Sequence, residues 1–183
     1  MLTIVVPARE LYNEDTNEFI NIPQTTLKLE HSLVSISKWE AKYKKPFISK
    51  TKDTKTREET IDYVRFMTLT QNVDPNVYYA LTEENIRAIA EYVDDPMTAS
   101  WVSDDEDIKS KSNEAITSEL IYWWMTALRI PWEAQKWHLN RLLMLIRIGN
   151  KKSQPPKKMS RAAILARNKR LNDERRRKYN TKG

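Results

Sequence analysis

Hydrophobic and polar positions change their period twice along this chain. Two short β-branched runs, Leu2–Val6 (LTIVV) and Glu18–Ile22 (EFINI), flank the polar cluster NEDTN at 13–17, which reads as a β-hairpin with a turn between. After Pro23, Leu27 and Leu29 alternate with polar neighbours and predict a third strand, giving a small sheet that another layer must cover. From Ser32 the period becomes helical: Leu33, Ile36, Trp39 and Tyr43 share one side until KKPF at 44–47 ends the element. A polar loop, 49–56, leads to Thr56 and Glu59 at capping-box spacing, which predicts a helix over 57–69 with Ile61, Val64, Met67 and Thr68 on its core face. Residues 74–81 read as one helical turn. Thr82 and Asn85 repeat the capping logic for a helix over 83–93, with Ile86, Ile89, Ala90 and Val93 inward.

The densest apolar and aromatic stretch is 119–150, ELIYWWMTALRIPWEAQKWHLNRLLMLIRIGN. Its first helix carries Ile116, Leu120, Trp123 or Trp124, and Ala127 at helical spacing, and Pro131 stops it. A second helix is predicted over 132–148, with Leu139, Leu142, Leu143 and Ile146 as its stripe. Met144, Leu145 and Ile148 widen that arc enough to demand burial on most sides. Arg147 and Gly149 serve as its stop signals. These two helices are expected to be the core of the fold. The expected class is α+β, mainly α: a small N-terminal antiparallel sheet packed on a helical bundle, with a basic C-terminal helical arm.

Composition sharpens this division. Lys and Arg outnumber Asp and Glu by 13 to 2 over 151–183, a net of +11, while 1–150 carries −5, the total being +6. The expected organisation is therefore a globular α+β body over 1–150 and a basic linker and arm over 151–183. In the arm, KKSQPPKK at 151–158 is a linker stiffened by Pro155 and Pro156, and Ser160 caps a helix over 161–179. That helix is marginal alone in water, since Ala162, Ile164, Leu165 and Leu171 are its only apolar residues of any size. Charged residues make up 31% of the chain and its mean hydropathy is −0.70, and no apolar run is long enough to span a bilayer. The start lacks the pattern of a secretory leader. With no cysteine there is no disulfide, thiol nucleophile or cysteine metal site, and two glycines cannot build a phosphate-cradling loop.

Candidate chemistry is sparse. His31 and His138 belong to no ligand pair at i, i+4. A site would need Glu30, Glu40 or Glu133 beside them; the plainer reading leaves His138 at the edge of the helical pair, hydrogen-bonded locally. The acids 104–107 lack the alternating ligands and glycine of a calcium loop and read as a solvated segment of a long connection, 94–113. Six tryptophans carry more weight. Trp123 and Trp124 project about 100° apart on a helix, so one faces a partner unless the helix is buried on a wide arc. Lys157, Lys158, Lys169, Arg170, Arg175, Arg176, Arg177 and Lys178 suit a phosphate backbone, an acidic protein surface or plain solvation, and charge alone does not choose among them.

Two blocks, LEHSLVSISKWEAKYKKPF at 29–47 and IPWEAQKWHLNRLLMLIRIGNKKSQPPKKMSRAAILARNKRLNDERRRKYNTKG at 130–183, resemble a family of tailed-bacteriophage proteins often grouped with the tail assembly chaperones. DYVRFMTL at 62–69 and PMTASW at 96–101 add to the resemblance. It implies a non-enzymatic protein of phage morphogenesis, without a cofactor, that acts in the host cytoplasm and holds the tape-measure or tail-tube protein while the tail assembles, with reversible self-association. By residue type, Trp123, Trp124, Trp132 and Trp137 are the candidates for the apolar contact. Lys157, Lys158, Lys169, Arg170, Arg175, Arg176 and Arg177 are the candidates for the electrostatic one. The alternatives are a structural virion component whose arm binds neighbouring subunits at a head, neck or tail joint, and an accessory nucleic-acid binder.

Overall fold

Proline placement decides the shape of the N-terminal region. Strands β1 (Leu2–Val6) and β4 (Thr25–Leu29) form one antiparallel ladder, and β2 (Arg9–Asn13) and β3 (Glu18–Ile22) form another. Val6 stands opposite Thr25 in the first and Arg9 opposite Ile22 in the second, so one register runs through both. They are two halves of a single ribbon, interrupted at Pro7 and Pro23, which have no backbone N–H to give and stand at adjacent levels of the register. The expected pairing of Leu2–Val6 with Glu18–Ile22 is thus corrected. The partner of Glu18–Ile22 is RELYN, whose charged residues hid it from a reading based on β-branched runs. Ile4, Val6, Leu27 and Leu29 line the buried face of the inner half.

The computed structural model describes residues 1–13, 17–48, 55–100, 115–153 and 161–180. The turn at 14–16, the loop at 49–54, the acidic run at 104–107, Trp101, the Pro155–Pro156 pair, Lys157, Lys158 and the Ser160 cap lie outside them. The chain divides into two compact units, 1–151 and 152–183. The fold is mainly α with a small antiparallel β part, as the hydropathy pattern predicts.

In the first unit, α1 (Leu33–Tyr43) starts on the Ser32 cap and ends at Lys44, which takes the left-handed conformation. It buries Leu33, Ile36 and Trp39. Helix α2 (Arg57–Met67) opens with the predicted capping box, Thr56 and Glu59 satisfying each other's backbone N–H. A 3₁₀ helix, Pro75–Ala80, follows on an Asp74 cap, and α3 (Glu83–Asp94) opens on the second capping box, Thr82 with Asn85. The inward face of α3 is Ile89 and Tyr92; Ile86 and Ala90, expected inside, are exposed.

The central pair departs from its expected form in three ways. Helix α4 (Ser118–Ala127) buries Ser118, Ile121 and Met125 rather than the expected face of Ile116, Leu120, Trp123 or Trp124, and Ala127. A seam of slender side chains lets α4 approach α1, which two adjacent indoles would prevent. It ends in a Schellman motif, with Arg129 left-handed at φ 55°, Ile130 N–H donating to Met125 O at 2.8 Å and Arg129 N–H to Thr126 O at 3.1 Å, so the stop precedes Pro131. The expected helix over 132–148 is split into a second 3₁₀ helix (Trp132–Lys136) and α5 (Leu139–Ser153), because His138 is extended and bridges to Ser32. Helix α5 runs through Arg147 and Gly149 into the expected linker, and buries only Leu139, Leu142 and Ile146; Leu145 is exposed. Gly149 is there for room: a Cβ at this position would stand 3.1 Å from the Leu128 side chain.

Glu40 joins these parts. Buried on α1, its carboxylate accepts from Phe47 N–H and from Ser118 N–H, both at 2.8 Å, closing the turn after α1 and partnering the first turn of α4. Replacing it by leucine leaves two N–H groups without an acceptor. Glu40→Leu is expected to destabilise the fold by about 2–6 kcal/mol and Glu40→Gln by less, as read from urea unfolding midpoints.

Candidate functional site

The indoles around α4 separate into two roles. Trp123 projects outward, 64% exposed, while Trp124 is half-buried and packs against the core. The second 3₁₀ helix folds back beside α4: Trp132 stands 5.5 Å from the ring of Tyr122, whose hydroxyl donates to Gln135 Oε1 at 3.0 Å. This pins Trp132 from behind and leaves it 56% exposed. Trp137, at the end of the same 3₁₀ helix, is 38% exposed and carries the Arg141 guanidinium 4.8 Å from its ring centre. Three of the four expected partner-binding tryptophans, Trp123, Trp132 and Trp137, therefore present indole to solvent, and Trp124 does so only in part.

Two further apolar features were not expected. On the outer half of the ribbon, Tyr12 and Phe19 form an exposed cross-strand ring pair 5.1 Å apart. Between α2 and α3 a concave cleft of about 360 Å³ is lined by Ile61, Val64, Tyr78, Leu81, Ile86 and Ile89, among others. The residues misassigned to the inner face of α3, Ile86 and Ala90, line this cleft. Their helical spacing was visible, but a cleft wall and a core face carry the same pattern.

In the second unit, α6 (Arg161–Tyr179) exposes Lys169, Arg170, Arg175, Arg176 and Arg177, as it does every residue of the helix whose burial is described. Arg170 lies 3.7 Å from Glu174.

The two histidines, far apart in sequence, meet inside the body. His31 and His138 are both buried, with ring centres 5.0 Å apart. The carbonyl of Tyr92 lies 2.9 Å from His138 Nε2, and Nδ1 accepts from Asn140 N–H at 3.3 Å, which fixes the proton on Nε2. The Tyr63 hydroxyl, held protonated by burial, is hydrogen-bonded to His31 Nδ1. Tyr92 in turn donates to Glu30 Oε1 at 2.7 Å, and burial followed by the Glu30 carboxylate pushes its phenol up. His138 is therefore interior rather than at the edge of the helical pair. Neither Glu40 nor Glu133 partners the imidazoles. The tyrosines do, and no sequence motif marked them. These groups are all engaged in holding elements together, and Asp62 likewise: burial would raise its carboxyl, but hydrogen bonds from Lys42 and from Tyr43, the latter at 2.6 Å, hold it below the usual range. Among the described residues no group of three or more His, Asp or Glu could hold a metal ion, and no helix is long and apolar enough to cross a membrane.

Neither family models, nor curated proteins, nor solved structures give a match to this chain.

The histidine pair makes stability depend on pH in a definable direction. Burial first, then repulsion from His138 and Lys55, lowers the His31 pKa to about 3, against 6.5 for an unconstrained imidazole. Between these values the unfolded chain binds a proton that the native state refuses, so stability falls as pH drops below about 6.5, by about 1.4 kcal/mol per pH unit. Asp62, with its depressed pKa, adds a loss only in the carboxylate range below about pH 4. Melting temperature measured from pH 7 to pH 5 is expected to fall for the natural protein and to fall less steeply for His31→Gln.

Proposed function

We propose that this protein works by binding rather than catalysis, as a tail assembly chaperone of a tailed phage that holds the tape-measure or tail-tube protein during assembly. The resemblance in 29–47 and 130–183 supplies the assembly context. The exposed indoles of Trp123 and Trp132 are the observation that carries the reading. Leaving a large aromatic side chain in water forgoes roughly 1.5–3 kcal/mol, and two of them fixed beside one helix suit a contact that forms and releases with a partner. Trp132 is backed by Tyr122, so it is presented in one orientation at little further entropic cost on binding. Trp137, capped by Arg141, extends the same contact, and Trp124 serves mainly to seat α4.

The direct test is binding of the full chain to purified tape-measure protein. Trp123→Ala with Trp132→Ala is expected to weaken binding at least tenfold while leaving the melting temperature within a few degrees of the natural protein; unchanged binding would remove the indoles from the contact. Mass spectrometry of infected cells and of purified particles tests the role itself. A chaperone is abundant in the first and missing from the second, whereas fixed stoichiometry in the particle would make the chain a structural component.

A further inference from the structure

Helices α2 and α3 flank the cleft of about 360 Å³ without filling it, and both of its walls are apolar. Ile61 and Val64 stand one turn apart on α2, while Ile86, Ala90 and Val93 step by four and three residues down α3. Ile86 is 51% exposed and Ala90 is exposed as well, so this wall is an apolar helix face without a covering layer. The lining runs from Arg57 to Val64 on one side and from Ile86 to Asp94 on the other. At about 1.5 Å per residue the walls are about 10 and 12 Å long, roughly two helical turns.

Charge distinguishes the two walls. Beside the apolar row of α3, on the side turned away from the buried Ile89 and Tyr92, Glu83, Arg87, Glu91 and Asp94 follow one another at steps of four, four and three. All four are exposed, and three of them are acids. The α2 wall carries the opposite sign. Arg57 lines the cleft, the Arg65 guanidinium lies 5.3 Å from the ring centre of Tyr78, and the Lys55 ammonium lies 4.0 Å from that of Phe47, both rings being part of the lining. Glu58 is the one exposed acid on α2, since Glu59 and Asp62 are buried.

These features choose the occupant. The cleft is predominantly apolar inside, and the Thr60 and Tyr63 hydroxyls that line it are already bonded to Thr56 O and to His31, which leaves little to orient a small molecule. A second copy fails on shape. A two-fold pairing would set acidic wall against basic wall, but it would face one concavity with another and leave both unfilled. A two-turn trough with unlike walls is filled by a convex apolar stripe with cations along one border and acids along the other. Between packed helices that is the pattern that decides partner and orientation.

We infer that the cleft between α2 and α3 receives an amphipathic helix of another protein, bordered by unlike charges. That helix inserts aliphatic side chains spaced i, i+3 or i+4, and i+7 between the Ile61 and Ile86 walls, and sets its cations against Glu83, Glu91 and Asp94 and its acids against Arg57. The contact is separate from the indole face and stands whether or not that face holds the tape-measure protein.

The test uses the full chain and three fluorescein-labelled 21-residue helical peptides that share one leucine stripe. The first is bordered by lysines on one side and glutamates on the other, the second by lysines on both sides and the third by glutamates on both. The basic arm is present in every variant, so binding in the cleft is the part that cleft substitutions remove. Ile86→Ser, which takes away an exposed apolar contact, and Ala90→Gln, which adds bulk to the same wall, are each expected to weaken the first peptide about tenfold and the other two much less, with the melting temperature held within a few degrees. Glu83→Lys with Glu91→Lys is expected to weaken the first peptide about fivefold and to tighten the third. Trp123→Ala with Trp132→Ala leaves all three unchanged, which separates this contact from the indole one. No binding of the first peptide, binding indifferent to Ile86→Ser and Ala90→Gln, or equal losses for all three peptides would overturn the assignment. So would a dimer in sedimentation that both cleft variants turn into a monomer, since the cleft would then belong to a second copy.

Discussion

Everything in the body hangs on the short extended run from Lys28 to Ser32, which is hydrogen-bonded on both edges. On one side Glu30 N–H donates to Met67 O at 2.9 Å and Leu69 N–H to Lys28 O at 2.7 Å; on the other, Leu139 N–H donates to His31 O at 2.7 Å. A strand that continues past its own ladder thereby collects the end of α2 and the start of α5. The side chains repeat the pattern, since His31 meets Tyr63 of α2 and stands against His138, the residue before α5. Tethering by buried, fully paired polar groups fixes one arrangement of the elements, because any slip would leave a donor or acceptor stranded in apolar surroundings.

Polar burial in this body is therefore committed to architecture. Glu40 bridges α1 to α4, Asp62 gathers Lys42, Tyr43 and Arg65, and Trp39 donates its indole N–H to Glu59 O at 2.9 Å. Trp39 shares its surroundings with Tyr43, Phe47 and Tyr63, which form a run of close rings beneath the histidine pair. The tryptophans outside this cluster are used differently, and the difference follows from geometry. Trp39 lies on the inward stripe of α1, whereas Trp123 and Trp132 fall on positions that α4 and its following turn direct away from the core.

Local signals in the sequence were strong where they were chemical. Thr56 with Glu59 and Thr82 with Asn85 each specify a helix start through a side-chain oxygen and a backbone N–H three residues on, and both predicted starts match to the residue. The α1 stripe was equally legible. Bulk misled where chemistry was silent. The WW pair drew the expected α4 face toward itself, but the helix packs through Ile121 and Met125. Gly149 looked like a helix end, yet its role is to admit Leu128. The break at Trp137–His138 depends on a bridge to Ser32, more than a hundred residues earlier, and no window of sequence contains both sides of it. The histidine pair was hidden for the same reason.

The Pro7–Pro23 interruption bears on how such a chain stays dispersed. The inner half of the ribbon has the edge of β4 bonded by Leu69 and Thr70, whereas the outer half is a two-stranded ladder that carries exposed Tyr12 and Phe19, a ready template for a passing strand. By the shared register Pro7 and Pro23 stand at adjacent levels of opposite strands, where inward and outward N–H groups alternate, so one of them removes a donor from the ladder and the other from an edge. The interruption that looks like a defect in the ladder thereby limits how far a strand added to one half could carry its bonds into the other.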